Sequence, residues 1–201
     1  MEIVKHFKLC ICIPTVVGRE PQFEYLFNKI GNQVRDLNLT DEIDCVVFKD
    51  NKEISIGMKR DRMYKMSKAY FTVQIDDDDD VADDYIKTVY DTIVANPDVD
   101  CIGYMERCVM DGVTKYSKIS LECNEWRTLP DGYERTPFFK VPIRTAVCQR
   151  VGVADMRFGE DHDFANRIKE HLKSEVFIDK ALYYYTGNSL TAEQHKERYG
   201  L

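Results

Sequence analysis

No stretch of the sequence approaches the roughly 20 consecutive apolar residues that a bilayer crossing requires, so no membrane insertion is expected. An apolar secretory leader is missing as well. The first eight residues, from Met1 to Lys8, carry charges where a leader would carry its hydrophobic region, and a cytoplasmic protein is the expectation. The seven cysteines (Cys10, Cys12, Cys45, Cys101, Cys108, Cys123 and Cys148) are odd in number and none is spaced as CxxC. That argues against a cysteine zinc site and for reduced thiols inside apolar runs. There is no excess of positive charge: the net charge of -7 disfavours an all-over basic surface for nucleic acid. There is also no internal repeat and no low-complexity linker to divide the chain.

What is present is an ordinary globular composition, 44% hydrophobic and 31% charged over 201 residues, enough for one buried core. Residues 8–14 form a short apolar run stopped by Pro14, which reads as a buried strand. Phe23, Leu26, Phe27, Ile30 and Val34 recur at helical spacing. Residues 43–48 read as a second strand, 57–69 as a helix and 70–75 as a third strand. Strand and helix alternating at these lengths predict a right-handed parallel α/β unit. Tyr85, Ile86, Val89, Ile93 and Val94 continue as a helix that Asn96-Pro97 stops, ahead of a fourth strand over 99–105. The pattern then loosens into short β pieces until Val141-Pro142, which predicts a helix start, as does Gly159-Glu160-Asp161 with a helix running to about Leu172. Residues 176–178 and 181–185 read as two last strands, and 187–201 as a polar, mobile tail.

Charge is unevenly spread. Five carboxylates stand together in Ile75-Asp76-Asp77-Asp78-Asp79-Asp80, at the carboxyl end of the third strand, where open parallel sheets bind ligands. Two carboxylates about 4 Å apart repel by roughly 4 kcal/mol at an effective dielectric near 20, so the cluster calls for a counter-charge or full solvation. A hard divalent cation, Mg²⁺ or Mn²⁺, meets that need with one or two carboxylates and leaves coordination positions for ligand phosphates. The plain alternative is an exposed acidic turn whose later aspartates, Asp77, Asp79 and Asp80 among them, cap the following helix. An EF-hand is rejected, because the sixth and twelfth positions from Asp76 are Val81 and Lys87. Residues 49–68 carry seven basic side chains against three acidic ones, a candidate positive face for a phosphate-bearing ligand.

These residues, taken in order, resemble the GT-A glycosyltransferases of family 2. That family's third strand ends in hydrophobic-Asp-x-Asp-Asp, matched by Ile75-Asp76-Asp77-Asp78-Asp79, and is followed by an aromatic-aliphatic pair, matched by Tyr85-Ile86. Pro14-Thr15 matches the turn that touches the nucleoside, and Lys49-Asp50-Asn51 matches the strand end whose Asp reads the base. Gly57-Met58-Lys59-Arg60-Asp61 resembles a Gly-x-x-Arg-Asn segment, with Asp61 in place of Asn. Phe158-Gly159-Glu160-Asp161 and Arg167-Ile168 resemble the Glu-Asp pair that supplies the catalytic base. The resemblance implies a Rossmann-like three-layer α/β/α sandwich with a mostly parallel central sheet, one domain over 1–201, with residues 1–106 binding a nucleotide sugar and 107–201 the acceptor.

It further implies a metal-dependent inverting transfer from a nucleotide-diphosphate sugar, a UDP-sugar first among donors, to a hydroxyl acceptor. Pro14, Thr15, Asp50, Lys59, Arg60, Asp76 and Asp77 would bind the donor. Asp76 and Asp78 would hold Mn²⁺ or Mg²⁺, with His195, or His162, as third ligand, and Asp161 beside Glu160 would take the acceptor's proton. A sugar-phosphate nucleotidyltransferase fits less well, since Val16-Val17-Gly18-Arg19 offers one glycine where a Gly-rich loop is wanted. A non-catalytic nucleotide-sugar-binding module shares the motifs. The acceptor stays open among a glycan, a protein, a small molecule and a modified base in DNA; the segment 49–68 admits DNA and the overall acidity disfavours it. Trp126 is a candidate sugar-stacking residue, and equally an aromatic anchor.

Overall fold

A computed structural model describes residues 7–187; the polar tail beyond, with His195, lies outside the described residues. Strand β1 (Leu9–Val16) is flanked by β2 (Ile43–Asp50) and β3 (Phe71–Gln74), both parallel to it, in the order β2-β1-β3. Helix α1 (Glu20–Asp36) connects the first two and α2 (Ile56–Met66) returns to the third. Residues 9–13 of β1 are wholly buried because both faces are covered. Leu9, Ile11 and Ile13 join the cluster that holds Leu26 and Ile30 of α1, whereas Cys10 and Cys12 pack with Met63 of α2. The result is helices on both sides of the sheet, as expected for three layers.

The strand does not stop at Pro14 but continues to Val16, paired with Asp50. Ile75 N–H donates to Cys12 C=O, so the backbone polar groups of Cys12, and by alternation those of residue 14, face β3, whose pairing has ended by Gln74. The N–H that proline lacks is therefore one that the ladder does not need.

After the aspartates, Asp80–Val81 forms the two-residue β4, and α3 (Tyr85–Ala95) leads to β5 (Cys101–Met110). The loosely patterned region adds β6 (Val113–Ile119), β7 (Arg127–Leu129) and β8 (Gly132–Arg135) outward from β5 in the order β5-β6-β8-β7, with β6 antiparallel to β5 and parallel to β8. The predicted helix at Val141-Pro142 is not formed. Ile143–Arg144 is instead the short strand β9, antiparallel to both β3 and β5, and helix α4 (Thr145–Val151) starts only after it. Tertiary pairing outweighs the local signal of proline in a first turn. Helix α5 (Glu160–Ile168) continues through a 3₁₀ turn, Lys169–His171. The two expected last strands are one, β10 (Glu175–Gly187), parallel to β5, with register irregularities at Ile178, Ala181 and Tyr183 where the sequence pattern breaks. The sheet is parallel around β1 and mixed around β5.

Candidate active site

The chain leaves the sheet after Gln74, and residues 76–79 form a turn closed by Asp79 N–H donating to Asp76 C=O at 3.1 Å. Each aspartate finds a different partner. Asp76 accepts from Arg60 Nη2 at 2.8 and 3.1 Å. Asp77 accepts from the Thr15 hydroxyl and from Arg19 Nη1, each at 2.7 Å, and Asp78 shares Arg19 at 3.0 Å. Asp79 accepts from the Tyr183 hydroxyl at 2.6 Å and lies 3.4 Å from Lys140 Nζ, and Asp80 pairs with Lys29 at 3.0 Å. Four cations from α1, α2, β1's following turn and the segment before β9 thus divide the charge that the sequence places in one run. None of Asp77, Asp79 and Asp80 caps α3, whose N-cap residue is Asp84.

Asp78 is the least compensated. Its side chain is 45% exposed, it has half a share of Arg19, and partial burial together with the Asp76 charge raises its carboxyl above the usual range. Asp79 is also raised, chiefly by burial, with Lys140 pulling the other way.

Arg60 is the hub of the site. Its guanidinium lies 3.4 Å over the Phe139 ring, and besides Asp76 it meets Glu160 Oε1 at 3.3 Å and Gln74 Oε1 at 3.4 Å. Burial disfavours the Arg60 charge, but Asp76 and Glu160 outweigh it and hold the cation firmly. Ser55 caps α2, accepting from Met58 N–H at 3.0 Å, and so sets the helical phase that aims Lys59 and Arg60 inward. Lys59 Nζ donates to the Thr15 carbonyl at 2.8 Å and to Asp50 Oδ1 at 2.5 Å. Burial works against the Asp50 charge, and Lys59 overrides it to hold the carboxyl below its ordinary value.

Glu160 and Asp161 open α5 behind Gly159, which sits at φ 79°, a conformation that glycine adopts without strain. Glu160 is buried against Arg60; desolvation pushes its carboxyl up while Arg60 opposes the shift. Asp161 is half-buried and faces a cleft. His162 donates its N–H to Asp161 Oδ1 at 2.8 Å, but its ring packs edge-on against Trp126 at 5.3 Å.

A cleft of about 600 Å³ brings these groups together, within the size range of small-molecule sites. Of the residues singled out in the sequence, Pro14, Thr15, Lys59, Arg60, Asp76, Asp77, Asp78, Glu160, Asp161 and Trp126 line it. Asp50 does not; it stands behind Lys59. Asp61 does not either: it accepts from Val153 N–H at 3.1 Å and pairs with Lys65 at 2.6 Å, which ties α2 to the loop after α4. Trp126 is an anchor as well as a wall, since its indole N–H reaches Thr136 at 3.2 Å and the Arg135 guanidinium covers its ring at 4.9 Å.

Sequence reasoning missed Arg19, Glu106, Arg135, Phe139, Lys140 and Tyr183. The alternation Glu106, Cys108, Met110 along β5 was the available signal for the β5 face, since these three share it and all line the cleft.

Among the described residues, no three His, Cys, Asp or Glu side chains gather as a ready-made metal cage. Asp76 and Asp78 nevertheless suit a hard cation that takes few protein ligands, because both carboxylates line the cleft and Asp78, 45% exposed, shares its one cation with Asp77.

No protein-family model matches the sequence, and no curated protein matches it either. Solved structures do match. The crystal structure of S. aureus TarS 1-349 aligns with a TM-score of 0.64 at 17% identity, covering 90% of this chain and 60% of that one. The same protein in complex with UDP-GlcNAc aligns with a TM-score of 0.64 at 16% identity, over 92% of this chain and 60% of that one. Its complex with UDP gives 0.64 and 17%, over 95% and 63%. The chain therefore spans about three fifths of the length of these structures, and the fold they share with it is the GT-A glycosyltransferase fold.

Proposed function

On that fold, we propose that the protein is a glycosyltransferase that moves a sugar from a nucleotide-diphosphate donor to a hydroxyl acceptor with inversion. The observation that carries this reading is the meeting, in one cleft, of Arg60, Asp76 and the Glu160-Asp161 turn, groups drawn from α2, the end of β3 and the start of α5. The TarS complexes with UDP-GlcNAc and UDP favour a uridine diphosphate donor.

Pro14 and Thr15 line the nucleoside end, with Lys59 presented there by Asp50. Arg19 and Arg60 lie beside the three aspartates and favour the negative charge of a diphosphate. A divalent cation held by Asp76 and Asp78 would neutralise charge growing on the departing diphosphate. Asp161 accepts the proton of the acceptor hydroxyl as its oxygen bonds to the anomeric carbon and the carbon–diphosphate bond breaks, the electron pair leaving with the nucleotide. Glu160, spent on Arg60, orients this turn.

The test is a thermal-shift screen of nucleotide sugars with and without Mn²⁺, followed by assay of free nucleoside diphosphate. A ligand at 100 times its Kd stabilises by about 2.7 kcal/mol. Binding of a nucleotide sugar without any release of its nucleotide would leave a binding module instead.

A further inference from the structure

Arg19 runs against the chemistry of its position. It is the N-cap residue of α1, a place that favours Ser, Thr, Asp or Asn, and it makes no side-chain capping bond there. A cation at that end also opposes the helix dipole. Residues that break a local rule in this way gather at functional sites.

Its backbone is fixed while its side chain is not enclosed. Arg19 N–H donates to the Val16 carbonyl at 3.2 Å, and Val17 N–H to the Asp50 carbonyl at 2.9 Å. Gly18 N–H donates to Glu20 at 3.0 Å, at a φ of 92° that glycine adopts freely. The Arg19 side chain, by contrast, is 37% exposed and lines the cleft.

One nitrogen serves two carboxylates: Nη1 lies 2.7 Å from Asp77 Oδ1 and 3.0 Å from Asp78 Oδ2. The two depend on it unequally. Asp77 is buried, and its other oxygen accepts from the Thr15 hydroxyl at 2.7 Å. Asp78 is 45% exposed and has no other ion pair among the described residues. An exposed pair of this kind is weakly held. The remaining cations nearby are committed: Arg60 is buried on Phe139 between Asp76 and Glu160, Lys140 lies between Glu106 and Asp79, and Lys29 between Asp80 and Asp83.

Resting on the transferase reading, we propose that Arg19 is a transferable counter-charge, which makes binding of a divalent cation conditional on the donor's diphosphate. Without donor, it neutralises Asp78 and so competes with a cation for that carboxylate. A diphosphate offers the guanidinium the paired oxygens that it matches best, and draws it off Asp78. The cation then finds Asp78 free, and metal and nucleotide load together. Such coupling is reciprocal, so each ligand tightens the other by the same factor.

The experiment measures Mn²⁺ binding through the paramagnetic resonance signal of the free ion, with and without saturating UDP. It is run on the wild type, Arg19→Gln, Asp78→Asn and the double variant, with UDP binding followed by thermal shift. In Arg19→Gln, Mn²⁺ alone should bind about 10-fold tighter, while its affinity beside UDP changes less than about two-fold, so that the coupling falls by at least about 5-fold. In the Asp78→Asn background the same replacement should bring no gain. Equal tightening with and without UDP would mean that Arg19 is a fixed charge, and overturns this inference alone. A gain that persists without Asp78 overturns it too, as does UDP binding with no Mn²⁺ bound. Absence of any UDP shift in the wild type overturns the transferase reading and this inference with it.

Discussion

Arg60 Nη2 donates to both carboxylate oxygens of Asp76, at 2.8 and 3.1 Å, while the same guanidinium rests on Phe139 and reaches Glu160. One side chain thereby couples the aspartate turn to the start of α5, where Glu160 stands 100 residues after Arg60 in the sequence. Arg60→Met leaves two carboxylates without their buried counter-charge. It is expected to cost roughly 3 kcal/mol, read as a fall in chemical denaturation midpoint, and to abolish turnover. Arg60→Met protein as stable as wild type would remove the hub assignment.

Asp161→Asn keeps the size of the side chain and the first turn of α5 but cannot accept a proton. Transfer should fall by about 10² to 10⁴ while donor affinity, measured by calorimetry, stays within a few-fold. Turnover close to that of the wild type would transfer the base role elsewhere.

Chelation should stop the reaction and added Mn²⁺ restore it, with Asp78→Asn needing a higher metal concentration for half-maximal rate, because Asp78 is only partly neutralised, by an Arg19 that it shares with Asp77. Full rates in chelator would defeat the proposed metal role of Asp76 and Asp78.

Lys140 is buried between Glu106 at 2.7 Å and Asp79 at 3.4 Å, with the rings of Tyr183 and Tyr185 at 4.4 and 4.3 Å. Lys140→Met should destabilise the protein by about 3–5 kcal/mol, and adding Glu106→Gln should recover part of that loss by removing one orphaned charge. If the double variant is no more stable than Lys140→Met, the pair is not the reason for burying the lysine.

Gly57 has no room for a side chain: a Cβ there would stand 2.0 Å from the Ala154 carbonyl oxygen and 2.9 Å from Met156 N. Gly57→Ala must push away the loop that leads into Gly159-Glu160-Asp161. A loss of roughly 1–3 kcal/mol in stability is expected, together with reduced transfer. An unchanged melting temperature would show that the loop yields freely.

The parallel half was legible in the sequence because its strands are short apolar runs and its helices carry apolar stripes, so local pattern and tertiary burial agree. The aspartate turn and the Glu160-Asp161 turn were legible for the same reason, each standing at the end of a recognisable element. Where pairing is long-range, the sequence misled. Val141-Pro142 has the composition of a helix start, yet Ile143 is claimed by Thr72 and Cys101 on two other strands. Lys140 and Arg135 draw no notice in the sequence because nothing local announces that Glu106 will lie beside one and Trp126 beside the other. Asp50 was read as a base-reading group from its strand end, and only the fold puts Lys59 in front of it.

The two-residue strand β9 lets Ile143 register with both Thr72 of β3 and Cys101 of β5, so along the strand path β3-β9-β5 the two halves of the sheet meet at a single residue. The ladder is narrow there, and what holds the two halves together is the single apolar core that both share. Within the sheet the β6-β8-β7 segment joins the rest only through β5, while Trp126 on Phe138 and His162, and Ser120 on Glu175, fasten it from the side.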